Sequence, residues 1–387
     1  MKYREFCKDG WNVSVLGFGA MRLPYLKDGS GVDVELSVNL IRYGIDKGIN
    51  YIDTAYVYHN GDSEGIVARA LADGYRRKVR IATKSPLWKI QTADDFDRIL
   101  DEQLLRLKTT CIDYYMFHGI GAAGLKKIKD LDLFTKMENA KKSGKVGHIG
   151  FSFHDDFKAF KSIIDSYDKW EFCQIQYNYM DITNQAGTEG LKYAASKGIS
   201  VVVMEGLLGG RLARPPKTVS RVFHDSSIKR QAADWALQWI WNHPEVSVVL
   251  SGMNSLEQLD ENIASADTSK AGSLSELELK VIDTVRGEFN KRTVIPCTKC
   301  RYCEPCPSGV NIPWNLEQYN EGIIYGDPSS SRFVYNTFIN PQNRASACVS
   351  CKICEEKCPQ KIKISEWMPQ INAVLGENRP YPFDVAV

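Results

Sequence analysis

The chain has 387 residues, 43% hydrophobic and 25% charged, and its 49 basic and 47 acidic side chains leave a net charge of +2. That length suits one large domain plus a small one. No basic bias argues for nucleic acid, no apolar stretch reaches the roughly 18 residues of a membrane span, and the start, MKYREFCKDG, lacks a secretory apolar core. A cytoplasmic protein with reduced thiols is expected.

Taken in chain order, residues 3–6 and 11–14 flank Lys8-Asp9-Gly10 and predict a hairpin. Strand-like runs rich in β-branched and aromatic residues follow at 13–21, 50–55, 79–84, 112–118, 146–152, 172–178, 200–206 and 247–253. Amphipathic helical patterns separate them, from 33–47 through to 255–265. Eight such units predict a closed (β/α)8 TIM barrel, with the hairpin plugging its bottom. A doubly wound sheet is the alternative, but Gly17-Phe18-Gly19 is not a full G-x-G-x-x-G. The helical stretch 274–289 closes this region, so 1–290 is read as the barrel and 291–387 as a second domain. The Gly/Ala-rich stretch 119–130 reads as a mobile loop and a candidate lid.

In a TIM barrel the chemistry gathers where the strands end. Those ends offer Asp53, Lys84 and His118, and the loop after the second strand adds Tyr58. Singly, Asp53 reads as a turn cap, Lys84 as a solvated end and His118 as a core histidine. Together, three adjacent strands deliver three ionisable groups to one mouth.

Eight of the eleven cysteines form two runs, Cys297-x2-Cys300-x2-Cys303-x2-Cys306-Pro307 and Cys348-x2-Cys351-x2-Cys354-x3-Cys358-Pro359. The second has the bacterial ferredoxin spacing, and the first is one residue shorter before its last cysteine. In two-cluster ferredoxins the fourth sulfur comes from the other run. Two [4Fe-4S] clusters are therefore predicted, one on Cys297, Cys300, Cys303 and Cys358, the other on Cys348, Cys351, Cys354 and Cys306. Zinc sites favour separated Cys pairs, and disulfides need an oxidising compartment. Cys7, Cys111 and Cys173 are isolated and read as small packed residues.

The stretch Asp53-Thr54-Ala55-Tyr56-Val57-Tyr58 with Gly61-x-Ser63-Glu64 resembles the aldo/keto reductase signature. So do Thr83-Lys84, Phe117-His118, Gly144-Lys145-Val146-Gly147-x-Ile149-Gly150-x-Ser152 and Gln174-Ile175-Gln176-Tyr177-Asn178. The tail resembles the ferredoxin domain fused to one branch of that family. Its 41 residues between Cys306 and Cys348, with a helical pattern at 312–322, point to the helical two-cluster type.

The resemblance implies a catalytic tetrad of Asp53, Tyr58, Lys84 and His118. The family interval from the aspartate selects Tyr58 over Tyr56. A phenol is a poor proton donor near neutrality, and an adjacent ammonium lowers its pKa. A buried Asp53 would keep Lys84 charged, and His118 would orient the substrate oxygen. NADP(H) or NAD(H) is the implied cofactor, with contacts expected from Gly19, Ser152, Gln174, Met204, Leu207, Gly209, Gly210, Arg211, Gly252, Asn254, Gln258 and Asn262. Phe153 stands where the family has an asparagine, Met204 where it has a stacking aromatic, and Gln258 where an arginine is common.

Hydride moves two electrons and an iron–sulfur cluster moves one, so coupling them calls for a flavin or its equivalent. The preferred reading is a carbonyl/alcohol oxidoreductase coupled to two [4Fe-4S] clusters, with a small-molecule substrate and an electron-transfer protein such as ferredoxin as partners. One alternative is a plain NAD(P)H-dependent carbonyl reductase whose clusters are structural or redox-sensing. Another is a non-catalytic module that senses nucleotide redox state.

Overall fold

The computed structural model describes residues 1–385. β1 (Tyr3–Glu5) and β2 (Asn12–Ser14) form the expected antiparallel hairpin, Tyr3 opposite Ser14. Eight strands follow: β3 (Leu16–Gly19), β4 (Tyr51–Asp53), β5 (Arg80–Ser85), β6 (Ile112–Ile120), β7 (Val146–Phe153), β8 (Phe172–Gln176), β9 (Ser200–Met204) and β10 (Val246–Ser251). They close into a parallel barrel in which β10 returns to pair with β3. Each overlaps one of the eight sequence runs, because a strand buried on both faces reads as a continuous apolar stretch. The fold is the TIM barrel that the pattern implies.

Phe6, carried in by the hairpin, is buried among Tyr51, Ala82, Tyr114, Met116, Phe172, Val202 and Val248. Its ring meets Tyr114 edge-on at 4.9 Å. The barrel is therefore packed from below, and the period of two along a strand fixes what comes next. Two residues beyond Tyr51 is Asp53. Two beyond Ala82 is Lys84, and two beyond Met116 is His118. Phe172 leads in the same way to Gln174, and Val202 to Met204. The polar residues form the layer above the packed one.

The stretch 119–130 departs from the mobile loop expected of it. Ile120 ends β6 and the helix Ala122–Asp130 follows, with Leu125 and Ile128 buried. Gly119 takes a left-handed φ of 61°, and the other two glycines answer to close packing. A Cβ on Gly121 would lie 2.5 Å from Asp155 Oδ2, and one on Gly124 would lie 3.1 Å from the Leu87 side chain.

Packing divides the chain into two units that are not consecutive stretches of sequence. One comprises Met1–Gly209 with Ala233–Ser275 and holds the barrel; the other comprises Gly210–Ala232 and the chain from Glu276 onward. The second unit is mostly helical, as the tail pattern implies, with helices Lys217–Asp225, Glu276–Lys291, Ile312–Ile324, Pro328–Phe338 and Ile364–Ile371. Two of these start on the same local signal. Asn311 accepts from Trp314 N at 3.3 Å and Asp327 from Ser330 N at 3.1 Å, each with a proline in the first helical turn. Leu316, Tyr319, Ile323, Tyr335, Met368 and Leu375 belong to the unit's apolar core. Among the described residues, no helix is long and apolar enough to cross a membrane.

Candidate active site and cluster site

Asp53 and Lys84 end neighbouring strands, and both are buried. Lys84 Nζ lies 2.6 Å from Asp53 Oδ1 and donates to the Thr54 carbonyl at 2.8 Å. Burial is the largest single influence and works to neutralise Lys84, but the charges of Asp53 and Tyr58 and the hydrogen bonds to both together outweigh it and hold the ammonium above its ordinary pKa. Burial also lifts the Asp53 carboxyl, against the pull of the ammonium.

Tyr58 comes from the loop after β4. That loop turns sharply through His59, Asn60 and Gly61, all at positive φ, before the helix Ser63–Ala70. Lys84 Nζ sits 5.0 Å from the centre of the Tyr58 ring, and His118 meets the ring edge-on at 6.1 Å. The structure thus brings all four tetrad residues together. Tyr56, the rival phenol, is tied up elsewhere: it donates to Glu102 at 2.9 Å beneath the Arg106 guanidinium.

Two electrostatic outcomes follow. His118 is pushed down to about 3, first by burial and then by the Lys84 charge, so its imidazole is neutral. Its Nδ1 is buried with no protein partner. The Tyr58 phenol is raised by burial, with Lys84 pulling it back only in part. The lysine acts in the expected direction, but desolvation is the larger effect. Tyr58 is therefore held as a phenol, a proton donor rather than a base.

A second polar layer lies outside β5. Gln103, on the helix Ala93–Leu107, donates to Glu64 at 2.6 Å, to Thr83 Oγ1 at 3.2 Å and to the Lys84 carbonyl at 3.2 Å, while Tyr115 donates to Gln103 at 2.7 Å. This network fixes the backbone that carries Lys84. Sequence reading missed it, since a buried Gln on a helix carries no local signature. It also missed His154, although the period of two from Ser152 points to it. Burial and the Lys84 charge lower its pKa.

The residues expected at a nicotinamide fit one. Gly119 N donates to Ser152 Oγ at 2.7 Å, leaving that hydroxyl its own hydrogen to give. Gln174 Nε2 approaches Met204 Sδ at 3.5 Å, and Gln174 Oε1 is buried without a partner. A primary carboxamide offers the matching donor and acceptor. Phe153 faces the other way, packed on Phe160 at 4.9 Å between ring centres.

The more distant positions are used differently. A Cβ on Gly19 would meet the Ser251 carbonyl at 3.4 Å. Those on Gly209 and Gly252 would lie 2.8 and 2.9 Å from the Arg22 side chain, so both glycines make room for Arg22, which faces Glu205 at 3.8 Å. Gln258 accepts from Asn254 N at 3.0 Å, and Asn262 donates to Ser251 Oγ at 3.0 Å. Leu207 is half-buried in the barrel unit, whereas Gly210 begins the second unit. Arg211, expected along a pyrophosphate, instead donates to Glu321 at 2.8 Å and faces Asp327 at 3.7 Å. Its charge is already matched within the second unit.

In that unit Cys297, Cys300, Cys303 and Cys358 line one cavity, walled by Ile312, Leu316, Ile362 and Ile364. The Cys354 thiol is pushed up to about 11, chiefly by burial and to a lesser degree by Glu355, Cys348 and Cys306, and it also acts on Cys303 of the first run. The backbone repeats itself at the two runs. Lys299 and Arg301 flank Cys300 at φ 56° and 62°, and Ser350 and Lys352 flank Cys351 at φ 54° and 62°. Such turns aim successive N–H groups into a concavity suited to an anionic cluster. Ser350 N donates to Cys348 Sγ at 3.4 Å, and Lys299 N to Cys297. The donor set, the cavity and the turns fit iron–sulfur clusters. Among the described residues, no group of three or more His, Cys, Asp or Glu side chains is gathered closely enough to hold a metal ion.

The family model described as the aldo/keto reductase family matches residues 15–285. The chain belongs to that family. A 4Fe-4S dicluster domain matches residues 296–364 of this reductase. Over 297 residues it is 28% identical to an uncharacterised oxidoreductase of Schizosaccharomyces pombe, covering 72% of this chain and 89% of that one. L-galactose dehydrogenase of Arabidopsis thaliana is 25% identical over 304 residues, 74% of this chain and 94% of that one. An aldo-keto reductase from Klebsiella pneumoniae, solved in complex with NADPH, aligns with a TM-score of 0.60 at 23% identity, over 74% of this chain and 96% of that one. This reductase is an oxidoreductase with a 4Fe-4S domain.

Proposed function

We propose that the barrel reduces a small-molecule carbonyl with NADP(H) or NAD(H), and that Tyr58 supplies the proton. The observation that carries this is the buried Lys84–Asp53 pair set 5.0 Å from the Tyr58 ring. A carbonyl accepting hydride builds negative charge on oxygen. The Tyr58 O–H gives that oxygen its proton, and the Lys84 ammonium stabilises the phenolate left behind. Asp53 keeps the ammonium charged, and neutral His118 offers an imidazole to orient the substrate oxygen. A bound nicotinamide supplies the hydride; Ser152 and Gln174 would hold its carboxamide. The NADPH held by the Klebsiella protein and the sugar dehydrogenase among the relatives support this choice of cofactor and chemistry.

We further assign two [4Fe-4S] clusters to the eight cysteines in the crossed sets, and infer electron transfer between clusters and barrel chemistry, for which a flavin is the natural intermediary. One observation favours a second reading. Ile312, Leu316, Ile362 and Ile364 line the cysteine cavity and also belong to the unit's apolar core, so a cluster there would hold the unit in shape. Anaerobic holoprotein, assayed for iron, sulfide and flavin and then mixed with NADPH and an aldehyde, separates these readings. NADPH oxidation that depends on the aldehyde and is lost in Tyr58→Phe supports the barrel chemistry. A wild-type protein inert to every aldehyde and alcohol tried would defeat it. Cluster absorbance that bleaches when an alcohol is added anaerobically without NADP+, its two electrons reducing the two clusters by one each, favours coupling, and unchanging absorbance favours the structural role.

A further inference from the structure

The two cysteine runs share a backbone shape but not a surface. In the second run, Val349, Ser350, Cys351, Lys352 and Ile353 are consecutive and all exposed. Val349 is 69% exposed and Ile353 40%, and they flank the cysteine most open to solvent in that run. Single exposed aliphatic side chains are ordinary on a protein surface, but two on either side of an exposed cluster ligand make a small apolar contact at that ligand.

Charge surrounds them on one side of the balance. From Cys348 to Lys363 there are four lysines, Lys352, Lys357, Lys361 and Lys363, all exposed, against Glu355 and Glu356. Glu355 is half-buried and occupied: it accepts from Ser365 N at 2.7 Å and from Ser365 Oγ at 2.5 Å, and its charge also meets those of Lys363 and Lys352. That leaves Glu356 as the acidic side chain exposed within the segment. The first run differs. Its exposed stretch Thr298–Tyr302 has no aliphatic pair, and Lys299 is paired with Glu317.

We propose that Val349, Lys352 and Ile353, with the lysines that follow, form the docking surface for an acidic one-electron carrier protein. This rests on the cluster assignment above. A small apolar contact inside a charged rim is the anatomy of a transient interface, where charge sets encounter rate and orientation and the apolar centre sets the dwell time. Contact at Cys351 brings the partner's centre against an exposed ligand of the second cysteine set. With a cluster bound on that set, one electron would pass, the carrier oxidised by one and the cluster reduced by one, with no atom transferred. A basic carrier would be repelled by the same rim.

The test uses anaerobic holoprotein immobilised at a sensor surface, with iron and sulfide measured on the same preparation. The probes are an acidic plant-type [2Fe-2S] ferredoxin and, as the charge control, basic cytochrome c. Ferredoxin should bind with an on-rate that drops about tenfold or more between low and high salt, and cytochrome c should not bind. Lys357→Glu with Lys361→Glu should slow association, and Val349→Ser should speed dissociation, all at unchanged iron content. Ferredoxin binding indifferent to salt and to these substitutions, or equal binding of cytochrome c, overturns the docking surface. A preparation that takes up no iron overturns the cluster assignment instead, and the docking surface with it. Should the double lysine variant lose iron, the single Val349→Ser variant and the salt series on wild type still decide.

Discussion

The barrel mouth and the cysteine unit reach a functional site by opposite routes. At the mouth, the polypeptide places every group before any ligand arrives: Lys84 is pinned between Asp53 and the Thr54 carbonyl, and Gln103 braces its backbone from behind. In the second unit four sulfurs, those of Cys297, Cys300, Cys303 and Cys358, line a cavity, Cys300 and Cys351 are exposed, and the backbone at both runs is turned to receive a group that would complete it. The lesson is that a catalytic site organised by ion pairing can persist without its cofactor, while a cluster site shares its stability with its metal.

The largest effect should come from breaking the second region alone. Cys358→Ala removes one sulfur from the cavity and, in the crossed assignment, should drop iron from about eight to about four per chain. The unit should lose its cooperative unfolding transition while the barrel's circular dichroism stays. Iron falling equally in both clusters, or a barrel that melts with the tail, would contradict the contrast between the sites.

Tyr58→Phe attacks the other side of the comparison. Loss of the proton donor should cost about 10²- to 10⁴-fold in kcat for carbonyl reduction, with nucleotide affinity and iron content unchanged. A phenylalanine variant with wild-type kcat would remove Tyr58 from the chemistry. Lys84→Met is expected to damage both activity and folding, since it strands a buried carboxylate at a cost of about 3–5 kcal/mol. Adding Asp53→Leu should restore much of the stability and none of the activity. Denaturant midpoints measured beside kcat separate the two.

How much of this was legible depends on whether the signal is local. The eight strands show themselves because each is a short β-branched run, and the cysteine spacing carries its own chemistry. Asp53, Lys84 and His118 were readable as strand ends, since the barrel topology alone brings such ends together. The Glu64–Gln103–Thr83 network was not, because its members meet through tertiary packing of a helix on β5. Nor was the partner of Arg211. The residues around it read as a cofactor loop, yet the segment from Gly210 to Ala232 packs with helices that lie 44 or more positions further on. The stretch after His118 misled for a related reason: glycine there marks tight packing against Asp155 and Leu87, which a single sequence does not distinguish from mobility.

The smallest predicted effect sharpens the idea of a preformed mouth. His118 is neutral in the folded protein down to about pH 3, held there by burial and by Lys84, whereas an unfolded histidine protonates near 6.5. Between those values the unfolded chain binds the extra proton, so this histidine's contribution to stability is complete above about pH 6.5. It is lost as the pH falls toward 3. His118→Asn carries no such proton and should melt with a shallower acid dependence than wild type in that window, while the two coincide in slope above pH 7. The same neutrality shapes catalysis. With His118 uncharged and Tyr58 kept a phenol by burial, carbonyl reduction should run nearly flat from about pH 5 to 9, and the reverse oxidation, which needs the phenolate, should climb with pH. A reductive profile that falls with an apparent pKa near 6.5 would place a protonating histidine at the mouth and undo the reading of His118.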